Sequence, residues 1–567
     1  MQLPIANRPK SATEWQTINW AAQNRRVKNL RARIFKATQA GDDRKVRSLQ
    51  KLMLRSRANT LMSVRRATQQ NAGKYTPGLD KVTVKTPKAR GLLTDELMEF
   101  QPWRAQPTRR VYIPKKNGKL RPLGIPTIMD RCIQARVKNA LEPEWEAKFE
   151  PTSYGFRPGR STHDAILDIW LTASKGRKTW VLDADIRGAF DNIGHAPLLQ
   201  SISGFPALGL VKQWLKAGYV DGGMKHETDA GTPQGGIISP LLANIALHGM
   251  EDCLSISHKQ AAYRTIRKRG PYTIVRYADD FVVLTLTREL AETARDKLRE
   301  WLQPRGLELS EEKTRIVNLS EGFDFLGFNI REWATTRKIR GKVLLTKPSK
   351  DSVNALKKRL SAEWKKLRGQ NAEAVVKRIN PVIRGWANYF RIGASSETFQ
   401  AIDHHNHICA MRWIKRTHPN KSMTWRTDQY FGMFHPGSRD KWVFGVKETG
   451  FHLVKASWIP IKRHVKVKGY ASPDDRSLKE YWETRRKAGG QLNSFTSRVA
   501  SKQNHACPIC GQTLLNGEEL HRHHLIRDVT NSARNNLKNI RIIHLMCHQQ
   551  IHSPKYLAKA MKKGLLV

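Results

Sequence analysis

Apolar and polar positions follow different periods in different parts of the chain. Between residues 25 and 66, Val27, Leu30, Ile34, Leu49, Leu52, Met53 and Leu61 recur near helical spacing, which predicts two or three amphipathic helices. Gly73 to Arg90 is rich in Gly, Pro and Thr, with a turn signal at Pro77-Gly78, and reads as loop. From Arg109 the period shortens to that of strands. Arg110–Pro114 alternates, Lys115–Gly118 makes a hairpin turn, and Lys119–Leu123 returns. Short apolar runs at Trp180–Ile186, Tyr272–Arg276 and Phe281–Leu284 predict further strands. Helical spacing resumes over 350–418, where Leu356, Leu360, Trp364, Leu367, Val375, Val376 and Ile379 interleave with Lys and Arg as in a small basic bundle. Residues 420–500 mix Trp425, Tyr430, Phe431, Phe434, Trp442, Phe444 and Trp458 with Gly and Pro, predicting a compact β-containing segment.

Charge narrows the class of partner. The 567 residues hold 100 Lys and Arg against 49 Asp and Glu, a formal charge of +51. Such an imbalance repels itself in a compact state unless a polyanion neutralises it, and a long RNA is the natural counter-charge. Residues 25–66 carry fourteen Lys and Arg with Asp42 and Asp43 as the only acids. A merely solvated helix face interleaves both signs, so this stretch reads as RNA-binding. The length exceeds one hydrophobic core and predicts three or more domains. No run of 18 apolar residues suggests a membrane span. Met1–Asn7 has neither the apolar core of a signal peptide nor an Arg-rich transit pattern. Six cysteines in this length argue for a reducing compartment.

Two clusters carry candidate chemistry. Tyr277-Ala278-Asp279-Asp280 puts adjacent carboxylates at a tight turn between two strands. Like charges held together point to a divalent metal, and a further acid in the Trp180–Ile186 strand would complete a two-Mg²⁺ clamp for phosphoryl chemistry. Asp183 and Asp185 share one strand face, so physics alone leaves that acid open. Near the C-terminus, Cys507-Pro508-Ile509-Cys510 and His544-Leu545-Met546-Cys547 form two ligand pairs suited to one structural, tetrahedral Zn²⁺. His548 and His552, one helical turn apart, can bind a second metal together. Asp403-His404-His405-Asn406-His407 is read as a polar helix face rather than a metal site. Cys132, Cys253 and Cys409 read as ordinary thiols. Lys462–Lys468 is either a phosphate contact or a solvated edge strand.

Ordered blocks around these clusters carry a resemblance. They are Lys119-Leu120-Arg121-Pro122-Leu123-Gly124-Ile125-Pro126, Asp185-Ile186-Arg187-Gly188-Ala189-Phe190-Asp191-Asn192-Ile193, Gly231–Asn244, Gly306–Thr314 and Phe323–Phe328, with Tyr-Ala-Asp-Asp in place among them. Together with Ile379–Phe390, they resemble the reverse transcriptase, or maturase, encoded within mobile group II introns. The resemblance implies an α+β multidomain protein: a right-hand polymerase with fingers and palm, an α-helical thumb (domain X), and a small C-terminal zinc-containing domain of the ββα-metal (HNH) type. The expected divisions are 1–72 (basic helical extension), 73–335 (fingers and palm), 336–420 (thumb), 421–500 (DNA-binding segment and linker) and 501–567 (nuclease).

The resemblance also implies roles. Asp185 and Asp279 would hold two Mg²⁺, with Asp280 beside them as the third catalytic acid. Arg121, and after it Lys115, would grip the incoming triphosphate. Phe190 would lie under the sugar and exclude a 2′-OH. Gln234 would contact nucleotide or template, and Lys313 would act near the pyrophosphate. In the nuclease, His523 would join His548 and His552 on a divalent metal, His524 would serve as general base, and Asn539 would orient it. His521 is extra to that pattern and is an alternative to His523. The implied function is RNA-directed DNA synthesis, assistance to splicing, and nicking of target DNA. The implied partners are intron RNA, target DNA and dNTPs, with no membrane, in a prokaryotic cytoplasm or nucleoid. Rival readings are a non-catalytic RNA-binding splicing factor and a homing nuclease with a vestigial polymerase.

Overall fold

The computed structural model describes residues 12–561 except 115–117, 119, 262–263, 268–269, 337–340, 436–438, 489–491, 493, 517 and 527–535. Three helices open the chain: Trp20–Gln39, Asp43–Arg55 and Arg57–Arg65. Each starts at a side-chain cap (Asn19, Asp42 and Ser56) that accepts from an otherwise orphaned backbone N–H. Val27, Ile34, Val46, Leu49 and Met53 are buried, whereas Arg25, Arg26, Arg33 and Lys36 remain exposed. The loop expected through Arg90 ends sooner. A helix runs Pro87–Met98, because Thr86 caps it and Pro87 sits in its first turn, where its missing N–H costs nothing.

The fingers hairpin pairs Thr108–Pro114 with Leu120–Ile125. The long helix Ile128–Lys148 follows and packs beneath the N-terminal helices. The palm is a four-stranded antiparallel sheet in the order Arg315–Asn318, Trp180–Asp185, Asp280–Thr285, Thr273–Tyr277. Its strands are apolar on both faces, as a sheet covered on each side requires. Leu182, Ala184, Ile274, Phe281 and Val283 enter a core shared with the fingers and N-terminal helices. Val181, Val275, Val282 and Leu284 enter a second core shared with the thumb.

Three further helices, Lys350–Lys366, Ala372–Phe390 and Ser396–Thr417, occupy the stretch expected to be the thumb. The expected division at 335/336 cuts a hairpin, since Phe328–Ala334 pairs with Lys342–Pro348. The hairpin thus joins residues on both sides of the expected boundary, and the next helix starts at Lys350. The aromatic segment that follows forms the small sheet Phe431–Gly432, Val443–Val446, Phe451–His452. Phe431, Phe444 and Leu453 bury against the thumb core.

From there the chain returns across the molecule as an irregular strap. Lys462 N–H donates to the Arg391 carbonyl, and Arg160 donates to the carbonyl of Gly469. The edge-strand reading of Lys462–Lys468 does not hold. The stretch is not a strand, and His464 and Lys466 turn inward onto Asp164 and Asp168 at 2.9 and 2.7 Å. The division expected at 500/501 falls inside the helix Ser494–Lys502. The C-terminal unit is a ββα arrangement: Leu520–His524 pairs with Ile540–His544 and runs into the helix Leu545–Ile551. Among the described residues no helix is long and apolar enough to cross a membrane.

Candidate active site

Strand geometry brings the palm acids together. Asp185 ends its strand directly opposite Asp280, so both side chains leave the sheet on the thumb-facing side. Ala278 and Asp279 form the two-residue turn before Asp280, and Ala278 takes the left-handed conformation (φ 61°) that such a turn demands. Asp279 and Asp280 are pushed up, chiefly by loss of surrounding water. Neighbouring carboxylates add to this, and Asp280 reaches about 7 while hydrogen-bonded to Asp185. Arg121 and Lys313 act in the opposite sense on Asp279. Lys313 donates to Asp185, a contact that raises its own pKa. Carboxylates that resist full ionisation unless a cation enters are the expected electrostatics of a divalent-metal site. Asp183, on the same face, is instead paired with Arg315 at 3.1 Å, which separates the two acids that spacing alone left equivalent. Burial nonetheless pushes the Asp183 carboxyl up to about 6.

A support beneath the acidic turn escaped sequence reasoning. Tyr154 N–H donates to the Arg276 carbonyl, and Arg276 N–H donates to Thr152, so residues 152–155 run alongside the hairpin. The Arg276 side chain is buried and donates to Asn244 Oδ1 at 3.1 Å and to the Ala278 carbonyl at 3.2 Å. Asn244 in turn donates to the Gly155 carbonyl at 2.8 Å. Gly155 approaches so closely that a Cβ there would lie 2.3 Å from the Ala278 nitrogen. The signal was present as an arginine one residue before the Tyr-Ala-Asp-Asp motif, but its partners are far away in sequence.

The other palm candidates lie on neighbouring loops. Phe190 is half-buried, its ring edge-on to Phe156 at 6.0 Å. Gln234 donates to Asp191 at 3.3 Å. Gly235, at φ 129°, brings the loop against the Gly124 carbonyl, where a side chain would collide at 2.6 Å. Lys115 lies outside the described residues. A cleft of about 590 Å³ opens here, lined by Arg66, Lys138, Phe156, Gly235, Gly236 and, from the C-terminal unit, Asn516 among others.

That unit contains two groups of potential ligands whose atoms lie within 4.8 Å of one another: Cys507, Cys510, His544 and Cys547, and His523, His548 and His552. The first group is fully buried, and three thiols with one imidazole match the donor set of a structural zinc. In the second group it is His523, rather than His521, that lies with His548 and His552. His548 Nε2 faces His552 Nε2 at 3.1 Å, while its Nδ1 faces His521 at 3.3 Å. His521 therefore lies behind the triad, where it can orient a ligand, with Glu519 at 3.4 Å beyond it. His524 follows His523 and projects from the opposite strand face. Asn539 accepts from Ile526 N–H at 2.8 Å and donates to the Ile526 carbonyl at 2.9 Å, pinning the loop that leaves His524. In the thumb, Asp403 caps Ala456 and Ser457, His405 meets the Lys357 carbonyl, and Asn406 accepts from Trp364, which accounts for that polar run.

These features define a right-hand nucleotidyl-transfer palm, and comparison with known proteins agrees. The profile for reverse transcriptase (RNA-dependent DNA polymerase) matches residues 113–330, and that for the N-terminal domain of reverse transcriptase matches 15–97. The group II intron maturase-specific domain matches 353–431. Protein YkfC of Escherichia coli (strain K12) is 36% identical over 366 residues, covering 58% of this chain and 95% of that protein. Group II intron-encoded protein LtrA of Lactococcus lactis subsp. cremoris is 36% identical over 296 residues, covering 42% of this chain and 49% of LtrA. The match thus spans about half of LtrA's length. A solved telomerase from Candida albicans, in complex with a fragment of telomeric RNA, superposes with a TM-score of 0.32 at 14% identity, over 56% of this chain and 63% of that one. The chain belongs to the group II intron reverse transcriptase/maturase family.

Proposed function

We propose that this chain is a multifunctional group II intron-encoded protein: an RNA-directed DNA polymerase, a maturase that binds its intron RNA, and an HNH endonuclease that nicks target DNA to prime synthesis. The observation that carries the polymerase reading is the convergence of Asp185, Asp279 and Asp280 at adjacent strand ends, with Lys313 and Arg121 beside them. Asp185 and Asp279 would hold paired Mg²⁺, which when bound supplies acidification of the primer 3′-OH and neutralisation of the leaving pyrophosphate. Lys313, released from Asp185, turns to the pyrophosphate. Arg121 grips the triphosphate, and Phe190 crowds the 2′ position of the sugar. Gln234 and the glycines after it bring backbone close to the template.

The C-terminal unit is read as the nuclease. His523, His548 and His552 would hold a divalent metal that supplies charge neutralisation at the scissile phosphate. His524 takes a proton from water at a ring nitrogen, and Asn539 fixes the loop that sets its direction. The Cys507, Cys510, His544 and Cys547 group would hold structural Zn²⁺. The exposed Arg25, Arg26, Arg33 and Lys36, with Lys358, Arg359, Lys365 and Lys366 on the thumb, offer cations to intron RNA. We place the end of the palm side at residue 348 and the thumb at 350–420, followed by a linking segment and the nuclease.

Primer extension on an RNA template by wild type and Asp279→Ala tests the reading. Synthesis lost in the variant supports it. Equal extension by both would overturn the assignment of the acids, and extension by neither would favour the non-catalytic splicing factor.

A further inference from the structure

The cysteine-histidine group does not stand alone inside the C-terminal unit. Arg65, the last residue of the helix Arg57–Arg65, is 1% exposed. Its Nη2 donates to Cys547 Sγ at 3.4 Å, and its guanidinium stacks over Trp20 at 4.9 Å. Among the described residues the carboxylate that reaches it is Glu518, 3.9 Å away. A buried guanidinium is costly without compensating negative charge. Three thiolates and one imidazole around a dication leave one net negative charge, and this is the charge Arg65 faces. The same seam is sealed elsewhere. Gln550 donates to the carbonyls of Gln16 and Ile18, each at 2.9 Å. Gln70 donates to Gln512 and Glu518. Trp15, Trp20, Cys507, Cys547 and Ile551 share one continuous core.

We infer that Arg65 is an outer-sphere cation of the cysteine-histidine metal centre, supplied by the polymerase's own N-terminal helices, and that metal binding there fastens the C-terminal unit to the polymerase. The inference rests on the zinc reading above. It has a consequence for the polymerase, because Asn516 on the fastened unit walls the cleft beside Gly235 and Gly236. Metal loss would loosen that wall together with the helices behind it.

The test uses the full-length protein loaded with Co²⁺, whose thiolate charge-transfer band reports the cysteine centre separately from the histidine site. Amide hydrogen exchange is followed with and without metal. Removal of the metal should speed exchange about tenfold or more in Trp20–Gln39 and Arg57–Arg65 and leave the thumb helix Ala372–Phe390 unchanged. Arg65→Met should weaken Co²⁺ binding at the cysteine centre by about 10–100-fold, as loss of an outer-sphere partner does, and Arg65→Lys should recover part of it. If Arg65→Met does not fold, Gln550→Ala must by itself speed exchange in Trp20–Gln39 while keeping the cobalt band. N-terminal helices indifferent to metal, or Arg65→Met binding as tightly as wild type, would overturn the inference while leaving the zinc site standing. No cobalt-thiolate band in wild type would remove the zinc reading itself, and this proposal with it.

Discussion

The palm and the C-terminal unit assemble metal-site chemistry in opposite ways. In the palm, like charges are forced together at strand ends, and the cost is visible: Asp280 is pushed up to about 7 by lost water and by Asp279 and Asp185. In the C-terminal unit the candidate ligands are thiols and imidazoles rather than adjacent carboxylates, and within each group their atoms already lie within 4.8 Å of one another. The palm is thus an electrostatically strained site held by its scaffold, whereas the C-terminal groups are compact sets on one short ββα unit. The two should respond differently to loss of a single site residue.

Asp279→Ala gives the sharpest separation. Primer extension should fall by about 10³-fold or more, since several kcal/mol of charge stabilisation go with the metal, while nicking of target DNA is kept. His524→Ala should do the reverse, lowering nicking by about 10²–10⁴-fold and leaving extension alone, which gel assays of both products on the same preparations would show. If either variant lost both activities, the two sites would not be separable chemistries.

Gly155→Ala tests whether the palm depends on its scaffold. The added Cβ would lie 2.3 Å from the Ala278 nitrogen, so the acidic turn must move. A displacement near 1 Å is expected to lower extension by about 10²-fold while the fold and the nicking activity persist. Single-nucleotide incorporation, with circular dichroism as the folding control, checks this. Unchanged incorporation would mean that the turn is not held from below.

Gly155 also shows where the sequence stops being legible. The cysteine pairs, His548 with His552, and the acidic turn are local patterns, so their spacing reveals them, and the palm strands follow from short apolar runs. Arg276, Asn244 and Gly155 form one network only because the chain brings residues about ninety positions apart into contact, as in the Asn244–Gly155 bond. Periodicity carries no such information. The strap after the thumb was missed for a related reason. His464 and Lys466 look like surface cations until Asp164 and Asp168, some 300 residues earlier, are seen to face them. The start of the helix at Pro87 was readable from its Thr cap, and the glycine and proline content of the loop before it obscured that.

The strap supplies the smallest expected effect, and it bears on what joins the two regions. Asp164 receives His464, Arg485 and the Val467 N–H, at 2.9, 2.7 and 2.7 Å. Burial opposes its ionisation, but these partners outweigh burial and hold the carboxyl at about 2. Glu142 behaves alike. Burial opposes its charge, Lys138 and Arg31 prevail, and its carboxyl also sits at about 2; Arg31 in turn grips Asp474 on the strap at 2.7 Å. Both folded values lie below the unfolded ones of 3.8 and 4.5, so each group adds stability that is complete above those values. That contribution, about 2 kcal/mol for Asp164 and about 3 kcal/mol for Glu142, drains away as pH falls from about 4.5 toward 2. Thermal melts between pH 7 and 3 should therefore fall steeply only at the acid end. Asp164→Asn should flatten that fall and lower the melting temperature at pH 7, because His464 and Arg485 lose their charge partner. Hydrogen exchange in the strap should rise before exchange in the palm strands. A palm that loosened first in acid would overturn the assignment of the acid loss to the strap, because the crowded aspartates, whose carboxyls are pushed up, are relieved rather than strained by protonation.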